Sequence, residues 1–146
     1  MTDEVAVRAM TEADLGAVRA LLAQLGYDLE PDEVRRRFAA IAGAAGHAVL
    51  VAETAGRVAG MMHLFARPAF DKPPEVVVQA IVVAAAERRQ GIGKRLMEAA
   101  ESWAAGRGYH SVSLYSQTLR AEAHRFYDRL GYERVATSHL FRRALD

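Results

Sequence analysis

Gly91 and Gly93, ringed by Arg88, Arg89, Lys94 and Arg95, are the residues of this 146-residue chain best placed to do chemistry. A glycine has no Cβ, so its backbone N–H can come close to a ligand. The two glycines follow an apolar run, Val76 to Val83, broken only by Gln79. After them Ile92, Leu96, Ala99, Ala100 and Trp103 recur at helical spacing. The pattern predicts a buried strand, a short turn and a helix entered through the glycines. At such a helix N-terminus the macrodipole favours an anion by roughly 0.3–1 kcal/mol. The four basic side chains add to that preference. The stretch therefore reads as a site for a phosphate-bearing ligand.

Two familiar phosphate motifs do not fit. A P-loop requires Gly where Arg88 stands and Ser or Thr where Arg95 stands. A dinucleotide fingerprint requires a third Gly where Leu96 stands. Arg88-x-x-Gly91-x-Gly93 instead resembles the pyrophosphate loop of the GNAT superfamily of N-acetyltransferases. The placement of Ile81-x-Val83 before Gly91 is similar to that family's strand-to-loop spacing. A second stretch, Ala123-His124-Arg125-Phe126-Tyr127 through Gly131-Tyr132, resembles the family's other signature and follows in the expected order. The likeness covers nearly the whole chain. Two positions depart from it: Arg120 stands where Asn is common, and Ala85 where Pro is common.

The resemblance implies an enzyme that binds acetyl-CoA and a primary amine together, with the amine attacking the thioester directly. It implies that Ile81, Val82 and Val83 line the pantetheine arm, with Ile81 and Val83 offering backbone groups. Arg88, Arg89, Gln90, Gly91, Ile92, Gly93 and Lys94 then hold the pyrophosphate, and Arg120 stands where a further cofactor contact is expected. Tyr127 matches the tyrosine that protonates the departing thiolate; the same residue also suits a core position on an amphipathic helix. No carboxylate stands ready as base, because Gln79 occupies the place some relatives give to one. His63 is the best side-chain candidate, since imidazole titrates in the useful range. Tyr27, Asp28, Phe65, Phe70, Asp71 and His139 are candidates for the acceptor cleft. The alternative from another class is a catalytically silent module that binds or senses acyl-CoA.

The elements that must position these residues follow from periodicity. Val5–Ala9 reads as a first strand, and Thr11 to Asp14 as a near capping box. Leu15 to Leu25 and Pro31 to Ala42 read as two helices, the second opening on proline. Ala48–Glu53 and Val58–Phe65 form a hairpin. After the central strand and glycine-led helix, Ser111–Tyr115 alternates as a strand. A last helix ends at Gly131, and Tyr132–Thr137 with Leu140–Ala144 read as a terminal hairpin. The expected fold is α/β of the α+β type in one domain, residues 1–146. Its mixed, mostly antiparallel sheet has about seven strands and helices on both faces. The family resemblance adds a split between the fourth and fifth strands.

Composition narrows the rest. With 19 basic and 18 acidic residues the net charge is +1, so there is no bulk case for nucleic acid or an anionic membrane. The absence of cysteine excludes disulfides and thiolate metal sites. The histidines show no metal-ligand spacing, so no metal is expected, and His47, His110, His124 and His139 read as surface or loop residues. No signal peptide or membrane span is visible, which leads to a cytoplasmic expectation. Homodimers are common in the family that the chain resembles, although the sequence reveals no interface.

Overall fold

The computed structural model describes residues 4–145. Residues up to Leu114 form one compact unit, and Tyr115 onward a second, smaller one. The first unit is built on a five-stranded sheet in the order β1-β2-β3-β4-β5. Its strands are β1 (Ala6–Ala9), β2 (His47–Thr54), β3 (Arg57–Arg67), β4 (Glu75–Val83) and β5 (Val112–Leu114). The first four are antiparallel neighbours. The β4–β5 pair is parallel.

Local chemistry explains the connections. Ala55 and Gly56 both take positive φ, 50° and 76°, which is the two-residue turn whose twist suits a hairpin. Pro31 opens α2 (Pro31–Ala42), where its missing N–H leaves no bond unmade. Arg35, Arg36 and Arg37 face solvent and pair with Asp32 or Glu33 of the preceding turn. α1 (Leu15–Gln24) is preceded by a capping box in which the Thr11 backbone N–H donates to Asp14 Oδ2 at 2.8 Å.

Helices cover both faces of the sheet. Val18 and Leu21 of α1 pack with Val49, Val51, Met61 and Val82 on one face, joined by Phe38 and Ile41 of α2. α3 (Ile92–Gly106) lies on the other, where Ile92 and Leu96 close over Gly60 of β3. These core side chains are nearly solvent-free, with Val51, Met62, Leu64 and Leu96 at 0% exposure.

The strand count corrects the sequence expectation of about seven. The terminal hairpin does not form: residues 132–145 contain no strand, and Val135 and Phe141 are 87% and 90% exposed. The chain there offers Ser138-His139 as a turn, which lacks the glycine or asparagine that a tight hairpin needs for positive φ. β5 is also shorter than Ser111–Tyr115. The second unit is described by its one helix, α4 (Ala121–Arg129).

Asp14 ties β1 to α1 and makes the fold acid-sensitive. Arg8 grips its carboxylate with two bonds of 2.8 and 2.9 Å. That grip, chiefly, holds the Asp14 pKa at about 2 rather than the usual 3.8. A depressed folded-state pKa stabilises the fold above the unfolded pKa, and the contribution is lost as pH falls through the folded value. The shift corresponds to roughly 2 kcal/mol. Urea titrations of the parent should therefore lose about that much between pH 4 and 2. An Asp14→Asn variant should start less stable at neutral pH and show a smaller loss over the same interval.

Candidate active site

The site begins with an irregularity in β4. Its register with β3 pairs His63 with Ala80 and Leu64 with Val78, leaving Gln79 as an extra, unpaired residue. Such a bulge changes which residues aim their backbone groups to each side. Before it, the Val76 N–H donates toward β5, to Ser111 O at 3.1 Å. After it, the Ala84 N–H donates toward β3, to Ala59 O at 2.8 Å. Strand alternation then turns the N–H and C=O of Val82 to β3, and those of Ile81 and Val83 to the side of β5. The β4–β5 ladder has only three rungs and ends at Val78 paired with Leu114. No strand among the described residues pairs with that edge of Ile81 and Val83. Val82, by contrast, is tied into the ladder, and its side chain lies in the core at 2% exposure.

The chain leaves β4 through a single 3-10 turn, Ala85–Glu87. Arg89 then takes φ 68° and Gly91 φ 79°. A left-handed non-glycine residue is strained by of order 1 kcal/mol or more, so the loop shape is held by its surroundings. Two anchors hold it. The Ala85 N–H donates to Gln24 Oε1 of α1 at 2.7 Å. Glu87 is buried, with 7% exposure, and accepts from Arg57 at the start of β3. Arg57 Nε donates to Glu87 Oε1 at 2.7 Å, and Nη2 donates to the same oxygen.

α3 then starts with free donors. Its first internal bond runs from Arg95 N–H to Gly91 O at 3.0 Å, which leaves the N–H groups of Ile92, Gly93 and Lys94 without a helical acceptor. A Cβ built on Gly91 meets nothing within 4 Å, so the space over this residue is open. Arg88, Arg89, Gln90, Lys94 and Arg95 are exposed around it. The Ile92 side chain is not part of that exposed set; it is 1% exposed and serves the core. A groove of about 730 Å³ runs from Gln90, Gly91, Lys94 and Arg95 to residues 4–7 before and within β1.

His63 lies on the opposite face of the sheet from α3, directly across from Ala80 and one residue from Ile81 in the register. Its ring is not alone. His63 Nε2 lies 2.9 Å from Nδ1 of His47, the first residue of β2. His47 thus belongs to a strand and to a pair, not to a surface loop. Burial pushes the His63 imidazole below its ordinary pKa, and the charge of His47 pushes the same way. The acceptor-cleft candidates Tyr27 and Phe70 are solvent-exposed loop residues.

In the second unit, Tyr127 stands on α4 with its ring edge-on to Phe126 at 5.1 Å and to Tyr132 at 6.3 Å. Burial raises the phenol above its usual pKa, against a smaller opposite pull from Arg120, the residue that precedes α4. Its hydroxyl is therefore protonated at neutral pH and able to donate. Gly131 ends this helix with φ 89°, as the sequence signature requires.

Comparison with known proteins adds the lineage. The sequence model of the acetyltransferase (GNAT) family matches residues 15–132. A curated relative, the uncharacterized N-acetyltransferase YhdJ of Bacillus subtilis, is 37% identical over 78 residues, 53% of this chain and 54% of that protein. The match thus spans about half the length of that relative. Among solved structures, a transcriptional regulator from Bacillus halodurans superposes with a TM-score of 0.86 at 26% identity, over 95% of this chain and 99% of that one. The aminoglycoside N-acetyltransferase AAC(6′)-Iy in complex with CoA superposes with a TM-score of 0.89 at 21% identity, over 99% and 98% of the two chains. The latter likeness is one of fold.

The loop anchors were not visible as a motif, since Arg57 and Glu87 are 30 residues apart in sequence. Their pairing makes a prediction. Arg57→Ala leaves a buried carboxylate unpaired and should cost about 1–3 kcal/mol, discounted from a fully buried pair because Arg57 is half exposed. Glu87→Gln added to Arg57→Ala removes the orphaned charge and should recover most of that loss in urea unfolding. A double variant no more stable than Arg57→Ala would refute the anchoring role.

Proposed function

The chain belongs to the GNAT acetyltransferase family, and on that premise we propose that it transfers an acetyl group from acetyl-CoA to a primary amine held in the same complex. One observation carries the reading: a strand edge with free backbone groups, Ile81 and Val83, runs into a helix N-terminus with free N–H groups under an open glycine. A pantetheine arm carries amides that pair with such an edge. A pyrophosphate suits the N–H groups of Ile92, Gly93 and Lys94, with Arg88, Arg89 and Gln90 beside them and Arg120 as a further contact.

The proposed chemistry uses those groups together with His63 and, from the family resemblance, Tyr127. His63 accepts a proton from the incoming ammonium and leaves a neutral amine. The amine nitrogen bonds to the thioester carbon, and an N–H of the β4 edge donates to the carbonyl oxygen as charge develops there. The C–S bond then breaks. Tyr127 donates its proton to the CoA thiolate and regains one from solvent as the new amide nitrogen loses its extra proton. The net products are an N-acetylated amine, free CoA and one proton. The structural neighbour named as an aminoglycoside N-acetyltransferase makes polyamine sugars the first acceptors to try, followed by small amines and peptide N-termini.

Two substitutions test the halves of this reading. Gly91→Asp places a side chain and a negative charge in the open space, so the Kd for acetyl-CoA in calorimetry should rise at least about tenfold. Unchanged affinity would move the cofactor elsewhere. Tyr127→Phe keeps the ring and removes the proton. It should bind acetyl-CoA normally and lose kcat by about 10²-fold in a thiol-release assay. Turnover within a factor of about two of the parent, with chemistry rate-limiting, would reduce Tyr127 to a packing residue. A parent that binds acetyl-CoA but acetylates no amine would instead be a silent acyl-CoA module.

A further inference from the structure

We infer that His47 is a positioning residue for this reaction: it pairs with His63 so that a proton taken from the amine leaves through two rings and not one. The inference rests on His63 acting as the base. His47 and His63 stand diagonally on one face of the β2–β3 ladder, where His47 is opposite Phe65 and His63 opposite Val49. Phe65 stacks flat on His47, with centroids 5.0 Å apart and planes 14° apart, and fixes its ring. The fixed ring aims Nδ1 at His63 Nε2 across 2.9 Å. A contact of that length between two ring nitrogens requires one proton between them.

That proton makes the pair a conduit. With the proton on His63 Nε2, the lone pair of His63 Nδ1 is free. A proton arriving there from the ammonium is matched by transfer of the Nε2 proton to His47 Nδ1. His47 in turn releases its Nε2 proton to solvent, so no net charge stays on the half-buried His63. After product release, solvent reprotonates His47 Nε2, the His47 Nδ1 proton passes back to His63 Nε2, solvent takes the proton from His63 Nδ1, and the pair is reset. His47 has an outlet, because it lines a cavity of about 400 Å³ between Phe38 and Ile41 of α2 and Trp103 and Arg107 near the end of α3. The charged groups that face the pair are few. Arg107 lies at that cavity, stacked 3.9 Å from the Trp103 ring. On the same sheet face, beyond Phe65, Arg67 and Glu75 neutralise each other at 2.5 Å. Neither supplies a carboxylate to hold a second proton on the histidines. Two protonated rings at this distance would repel, which disfavours a second proton on the pair and speeds its release.

The test compares the full-length parent, His47→Gln and His63→Gln by imidazole NMR titration. It also measures kcat and KM from pH 5.5 to 9, with acetyl-CoA and kanamycin. The two imidazoles of the parent should titrate as a coupled pair. His63→Gln should lose about 10²-fold in kcat and flatten the acid limb. His47→Gln should keep its KM values and its Tm and lose about tenfold in kcat. Its acid limb should move to higher pH, because removing a like charge lets the His63 pKa rise. Independent titrations, or an acid limb that His47→Gln leaves in place, overturn the pairing. A kcat drop matched by a lower Tm, with the limb unmoved, makes His47 merely structural. A parent that binds acetyl-CoA but does not acetylate kanamycin leaves the NMR coupling as the deciding result. A parent that binds no acetyl-CoA strikes the proposed function itself.

Discussion

A Cβ on Gly60 would lie 3.0 Å from Ile92 Cγ2, 3.1 Å from Val82 O and 3.2 Å from Leu96 Cδ1. Real Cβ atoms rarely tolerate such crowding, so only glycine lets α3 sit this close to the sheet. The position matters because Gly60 is paired with Val83, the last residue of β4. The first turn of α3 is therefore seated directly against the end of the strand that exposes its edge. Backbone donors of the helix and backbone groups of the strand lie close together because a side chain is missing between them. The tight contact also explains why Ile92 is committed to the core while its N–H remains open.

The loop between strand and helix adds a charge arrangement that is unlike at its two ends. Cationic side chains are spread over the solvent side of residues 88–95. The acidic Glu87 is turned inward and neutralised by Arg57. A buried carboxylate so near the proposed anion site would oppose binding if it stood unpaired. Its partner comes from the β2–β3 hairpin, so the turn at Ala55-Gly56 serves the site as well as the sheet.

What the sequence made legible were the features with strong local causes. Two glycines, an apolar run and helical spacing located β4, the loop and α3 to within a residue or two. The proline-led α2 and the Thr11–Asp14 cap were visible for the same reason. What stayed hidden depends on pairing between distant residues. The letter Gln79 carries no sign of a bulge, because the extra residue exists only relative to β3. His47 read as a loop residue, because its partner lies on another strand. Gly60 carried no signal, since what it excludes is a contact with a helix that starts 32 residues later. The terminal hairpin failed in the other direction: apolar residues were present on both arms, but no turn former closed it.

The bulge at Gln79 also constrains how this strand can change over generations. On either side of it, side chains can be exchanged as long as volume and polarity suit the face they cover. Register is another matter. A slide of one residue that paired Gln79 with His63 would restore an unbroken ladder with β3, a locally more regular sheet. The same slide would swing the amides of Ile81 and Val83 inward and present those of Val82 at the free edge. A more regular strand reached in that way would thus erase the edge proposed to meet the ligand. Loss of Gln79 itself would straighten the ladder and leave those amides where they are, so sliding and deletion have opposite consequences for these nine residues.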